Sequence, residues 1–94
     1  MVSIVQDKRE CYICKLQATL ELHHVFFGTA NRKKSDEDGC VVWLCHYHHT
    51  GSKNSVHFNI KVDREVKRKV EVIWLNYYNK TVEEFIKRYG RNYL

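Results

Sequence analysis

The segment Cys45-His46-Tyr47-His48-His49 constrains this chain more than any other. It places a thiol and three imidazoles directly after the apolar run Val41-Val42-Trp43-Leu44. One zinc ion cannot use all of them, because it takes four ligands and draws some from elsewhere in the chain. Partners stand upstream. Cys11 and Cys14 have the two-residue gap that lets both sulfurs of a tight turn face one ion, and Cys45 and His48 repeat that gap. Cysteines packed only as small apolar residues have no reason to adopt that spacing twice. Once Cys11, Cys14, Cys45 and His48 close one site, His23, His24, His49 and His57 are left without a structural role in it. The pattern therefore predicts two metal sites on one short scaffold, the first closed and structural, the second open.

Ninety-four residues imply a single domain over 1–94, with a core only marginally sufficient at this size. A structural Zn2+ would staple it. No 18-residue apolar run exists, and the start Met1-Val2-Ser3-Ile4-Val5-Gln6-Asp7 has neither a basic region nor a long apolar one. The expectation is a cytoplasmic protein without membrane partners, whose four cysteines are reduced and metal-bound and not paired in disulfides. A formal charge of +5 and a pI near 9.1 point to a polyanion such as DNA.

Residues 1–10 read as a polar arm leading to the first metal turn. Thr19 to Phe27 begins with alternating apolar and polar residues, the mark of a half-buried strand, and Gly28 supplies the turn. Neighbouring side chains on a strand point to opposite faces, so His23 and His24 share one site only where the strand twists or breaks. Residues 29–39 read as a polar loop. Its Arg32, Lys33 and Lys34 either grip a phosphate backbone or form a solvated hairpin; Arg32 is favoured because its fork matches phosphate geometry. Val41 to Leu44 is the second strand, and a short helix follows that Gly51-Ser52 ends.

From Asn59 to Tyr78, Val62, Val66, Val70, Ile73, Trp74 and Tyr77 recur at threes and fours, predicting an amphipathic helix. Lys61, Arg64, Lys67, Arg68 and Lys69 cover its other faces, either against DNA or in solvent. Thr81-Val82-Glu83-Glu84 is a capping box for a last helix that packs through Phe85, Ile86 and Tyr89 and stops at Gly90. Trp74, Tyr77 and Tyr78 are assigned to the core in preference to base stacking.

Cys-x-x-Cys, then Leu22-His23-His24-Val25-Phe26-Phe27-Gly28, then Leu44-Cys45-x-x-His48-His49 and Val56-His57-Phe58-Asn59, resembles the HNH endonucleases. Among them the chain is most similar to small phage-type members, including the phage recombination-enhancement nucleases. The resemblance covers residues 11–60 and leaves 61–94 as a helical tail. It implies an α+β fold, a zinc-stapled ββα-metal finger followed by two C-terminal helices, and a metal-dependent DNA endonuclease leaving 5′-phosphate and 3′-hydroxyl ends. It also implies His23, His49 and His57 as ligands of a catalytic Mg2+, Mn2+, Zn2+ or Ni2+, with His49 opening the metal-binding helix and His24 as general base. The cytoplasm would be that of a bacterium or a phage-infected host, and the kinship admits a homodimer or a phage recombination protein as partner.

Two positions depart from the family pattern. Lys53 stands where the last histidine would follow one helical turn after His49, and His57 lies eight residues on. Cys40 stands nine residues before His49, and no asparagine occurs between Asn31 and Asn54, so Asp38, Gly39 or backbone carbonyls must orient His24. Cys40 is also an alternative zinc ligand, although Cys45 pairs better with His48. The residue types suit phosphodiester cleavage in their own right. Imidazole, with an ordinary pKa of about 6.5, can take a proton from water at neutral pH, and Arg32 adds charge against the phosphate. Two rivals carry no turnover: a zinc-ribbon nucleic-acid-binding module, and a nuclease relic lacking the middle asparagine.

Overall fold

A computed structural model describes residues 3–94; residues 1 and 2 of the expected arm lie outside them. Strand β1, Leu20–His24, pairs antiparallel with β2, Val41–Cys45, Leu20 facing Cys45 and His24 facing Val41. Helices α1 (Thr29–Asp38), α2 (His46–His49), α3 (Ile60–Tyr78) and α4 (Val82–Tyr89) complete a small α+β fold. Its Cα radius of gyration is 12.7 Å, against about 12 Å for a compact chain of this length.

The first strand is shorter than the alternation suggested. After His24 the Val25 N–H donates to the Cys40 carbonyl, and Phe26 turns inward where the Ser35 hydroxyl bonds both its carbonyl (2.6 Å) and its N–H (3.1 Å). β2 would leave its outer edge unpaired, a liability that the N-terminal arm removes. Ser3 Oγ donates to the Val41 carbonyl, Gln6 Oε1 accepts from Trp43 N–H, Tyr12 N–H donates to the Trp43 carbonyl, and the Arg9 guanidinium lies 4.6 Å over the Trp43 ring. The arm thus seals the sheet.

Residues 29–39 are not a loop: Thr29–Asp38 is helical and Gly39, with φ 76°, ends it in the left-handed region. No apolar stripe announced this helix, because its only buried residue is Ser35. It is fixed by polar contacts instead. Asn31 Nδ2 donates to the Tyr89 carbonyl, Lys34 Nζ to the Arg88 carbonyl, and Asp38 accepts from Trp74 Nε1 (2.9 Å), Arg88 Nε (2.6 Å) and Tyr89 OH (2.7 Å). Tertiary satisfaction of these groups outweighs weak intrinsic patterning.

The C-terminal helices match expectation in extent. The Asn59 side chain caps α3 through Lys61 and Val62 N–H, and α4 has its Thr81–Glu84 capping box and Gly90 stop, worth about 1 kcal/mol per cap. Val66, Val70, Trp74, Phe85 and Tyr89 are buried, and Phe26 packs edge-on to Phe85 with centroids 5.0 Å apart. Two residues expected in the core are exposed: Tyr77 at 63% and Ile86 at 39%. Lys67, expected on the solvent side, is buried with its Nζ 2.8 Å from Asp63 and 4.0 Å over the Phe27 ring. Aromatic stacking and a carboxylate compensate its desolvation. Among the described residues no helix is long and apolar enough to cross a membrane.

Candidate metal centres

Cys11 and Cys14 flank a turn that Lys15 completes at φ 68°, with Lys15 N–H on the Cys11 carbonyl and Cys11 N–H on the Leu16 carbonyl. That turn faces the end of β2 and the start of α2, and Cys11, Cys14, Cys45 and His48 bring one donor atom each to within 4.8 Å of one another. A tetrahedral ion with sulfur at about 2.3 Å and nitrogen at about 2.05 Å requires S···S near 3.8 Å and S···N near 3.6 Å. Cys14 and Cys45 sulfurs are 3.7 Å apart, and His48 Nδ1 lies 3.3 Å from Cys45 and 3.9 Å from Cys11. The group could hold a metal ion.

Its electrostatics agree. Burial opposes ionisation of Cys11, but backbone N–H donors at Cys45, Cys14 and Ile13 outweigh it and hold the thiol below its ordinary pKa. Burial and the two neighbouring thiols push Cys45 up. Crowded thiols that resist joint ionisation become mutually compatible around a cation. Cys40 belongs to neither group: burial drives its pKa to about 12 and Tyr89 OH rests 3.8 Å from its sulfur, so it is a neutral core thiol and not a zinc ligand.

The second group is His23, His49 and His57, again within 4.8 Å. His23 is 2% exposed, and its Nε2 has no hydrogen-bond partner. A buried orphan of this kind is costly unless something outside the protein fills the position. His49 closes the four-residue α2 and does not open a longer helix, because Thr50 and Gly51 N–H fold back onto the His46 carbonyl. A Cβ on Gly51 would come 2.7 Å from the His46 ring, so this return needs glycine. The chain then doubles over α2, Val56 N–H on the His48 carbonyl and His57 N–H on the His49 carbonyl. His57 thereby sets its Nε2 3.2 Å from His49 Nε2, although eight residues separate them. Lys53 is exposed.

Glu21 steadies this centre. Its carboxylate accepts from His49 Nδ1 at 2.7 Å and His46 Nδ1 at 3.1 Å, and these bonds lower its pKa. With Nδ1–H committed to Glu21, His49 Nε2 keeps its lone pair free, the arrangement that orients histidine ligands in metal sites. Burial first, then His49, His57 and Lys67, depress His23 to about 3, and burial lowers His57. Both are neutral near pH 7 and offer lone pairs. Glu21 was absent from the sequence expectations, yet period-two alternation already puts it on the face of His23.

An open cavity of about 470 Å³ exposes this group; His24, Phe27, Gly28 and Arg32 also line it. His24 Nε2 lies 3.1 Å from Asp36 Oδ1, so a carboxylate of α1 orients the ring, and Asp38, Gly39 and backbone carbonyls do not. Asp36 could not be anticipated while α1 was read as a loop. Arg32, Lys33 and Lys34 do not act as one group, since successive helical residues point about 100° apart. Arg32 faces the cavity, Lys33 is exposed, and Lys34 is tied to α4. The arrangement defines a small α+β chain with one four-donor and one three-donor group able to hold metal. No protein-family model, curated protein or solved structure matches it.

Proposed function

We propose that the chain is a metal-dependent DNA endonuclease of the HNH type, a zinc-stapled ββα-metal finger whose catalytic residues are His24 and Arg32. The observation that carries this reading is His24, held by Asp36 and lining the same cavity as the three-histidine group. A purely structural use of the histidines gives no reason for a fourth imidazole, clamped by its own carboxylate, on that cavity. Zinc is the ion assigned to Cys11, Cys14, Cys45 and His48, since thiolate-rich tetrahedral sets favour it.

With Nε2–H on Asp36, a tautomer assigned from that bond, His24 retains a lone pair on Nδ1 to take the proton of an attacking water. Arg32, with no ion-pair partner among the described residues, is free to meet a non-bridging phosphate oxygen. A divalent cation held by His23, His49 and His57 would neutralise charge on the phosphate and the departing 3′ oxygen. The ends left are a 5′-phosphate and a 3′-hydroxyl.

A plasmid-nicking assay with magnesium, manganese, zinc or nickel tests the proposal. His24→Ala should lose cleavage by a factor on the order of 10² to 10⁴ with metal content and DNA affinity nearly intact. No nicking under any of the four metals, with DNA still bound, would leave a zinc-stapled DNA-binding module in its place.

A further inference from the structure

Two histidines of the open group lack the kind of partner that the third has. Glu21 holds His49 Nδ1 at 2.7 Å. Among the described residues no carboxylate or carbonyl bonds the His23 or His57 ring: His23 Nε2 has no partner, and His57 Nε2 meets only His49. Histidines that ligate a metal ordinarily need such a bond to fix the ring.

What meets both rings is Phe27. Its ring centroid lies 5.8 Å from that of His23, edge-on at 61°, and 5.2 Å from that of His57, tilted at 47°. Rings at these separations have preferred mutual orientations, so a fixed Phe27 limits how the two imidazoles turn. Yet Phe27 is 38% exposed and forms part of the wall of an open cavity, so core packing alone does not hold it.

Lys67 of α3 supplies the hold. Its ammonium sits 4.0 Å over the Phe27 ring and 5.3 Å over the Tyr93 ring. Asp63, one helical turn earlier, places Oδ2 2.8 Å from the same nitrogen. Lysine is seldom buried to this degree without a specific partner. A cation–aromatic contact also gains strength where water is excluded.

We propose that Lys67 is a positioning residue of the three-histidine centre: anchored by Asp63, its ammonium pins Phe27 against His23 and His57 and aligns these two donors for one divalent cation. This rests on the part of the endonuclease reading in which the three histidines hold a cation, and not on cleavage. The charge of Lys67 does not itself favour a second cation nearby. Asp63 offsets that charge, which leaves alignment as the contribution of the pair.

Isothermal titration of Ni2+ into the zinc-loaded full chain tests the proposal. Lys67→Met combined with Asp63→Asn removes both charges together and leaves no unpaired charge in the interior. This double variant should bind the second metal about tenfold more weakly, with zinc content and a cooperative melt retained. Phe27→Leu alone should lose a similar factor. Adding Phe27→Leu to the double variant should weaken binding by less than about a further twofold, because all three substitutions act through one contact. A double variant that melts lower yet binds Ni2+ like wild type would make the pair purely structural and overturn the proposal. Wild-type affinity in Phe27→Leu would overturn it whether or not the double variant folds, and so would losses that simply multiply. A wild-type chain that takes up no second metal would instead remove the cation from the histidine group, and the positioning role with it.

Discussion

Cys45 and His49 stand four residues apart, yet they serve groups built on opposite principles. Around Cys45 four donors from the N-terminal turn, β2 and α2 close on one point, which leaves an ion no vacant position. Around His49 only three donors converge, beside an open cavity. The closed group ties distant segments together, and the open one is surrounded by side chains that orient others: Glu21 on His49, Asp36 on His24. A single short scaffold thus carries one closed and one open group of potential metal donors. The separation can be broken experimentally.

The largest effect should come from Cys11→Ser. In a chain this small, metal binding worth on the order of 10 kcal/mol rivals the total stability. The variant should lose its helical circular dichroism and its cooperative melt, and its zinc content should fall. A variant that melts like wild type would show that the four-donor group is not what folds the chain.

Next in size, His23→Ala should keep the fold and one equivalent of zinc but lose the second metal, read by elemental analysis after loading. The His23 orphan makes this informative: its Nε2 has no hydrogen-bond partner, so replacing it breaks no bond at that nitrogen. If His24→Ala sheds the second metal while His23→Ala retains it, the two roles are reversed.

Much of this contrast was legible in the sequence because metal ligands obey spacing rules. Cys11, Cys14, Cys45 and His48 follow from a repeated gap, and the chain does bring those four together. The α3 and α4 helices were legible from apolar periodicity and the Thr81 capping box. What stayed hidden depends on polar tertiary contacts. Helix α1 has no apolar face and is fixed by Asp38, Asn31 and Lys34, whose partners lie 36 to 58 residues away. Missing α1 also concealed Asp36. Lys67 was misplaced because a basic residue on an amphipathic helix is read as solvated unless its carboxylate and aromatic partners are seen.

Glu21→Gln should act on the open centre alone. The amide can still accept one bond but loses the charge that fixes His49, so second-metal affinity should fall about 10- to 100-fold. Zinc at the cysteine group and the melting temperature should barely move. Isothermal titration of the second metal measures the first change and calorimetry the other. Equal losses at both groups would mean that Glu21 supports α2 as a whole and does not tune a ligand.

The smallest effect is expected away from both centres, at Glu71 of α3. It is fully buried; Oε1 accepts from Tyr93 N–H at 2.8 Å, and Oε2 has no partner. Burial raises its pKa, so the folded chain binds this proton more tightly than the unfolded chain. The contribution of such a group is fully present below the unfolded value of about 4.3 and is lost as pH rises through the folded value. Glu71→Gln keeps the acceptor for Tyr93 and cannot ionise. It should therefore exceed wild type by about 1 kcal/mol at neutral pH, with a margin that shrinks as pH falls through the folded value toward about 4.3. Because α3 supplies no donor to either group, both metal stoichiometries should stay at their wild-type values. Denaturant melts at several pH values, paired with metal analysis, decide it: a margin that grows in acid would reverse the sign of the argument, and a changed metal content would show that the centres are coupled to Glu71 and not insulated from it.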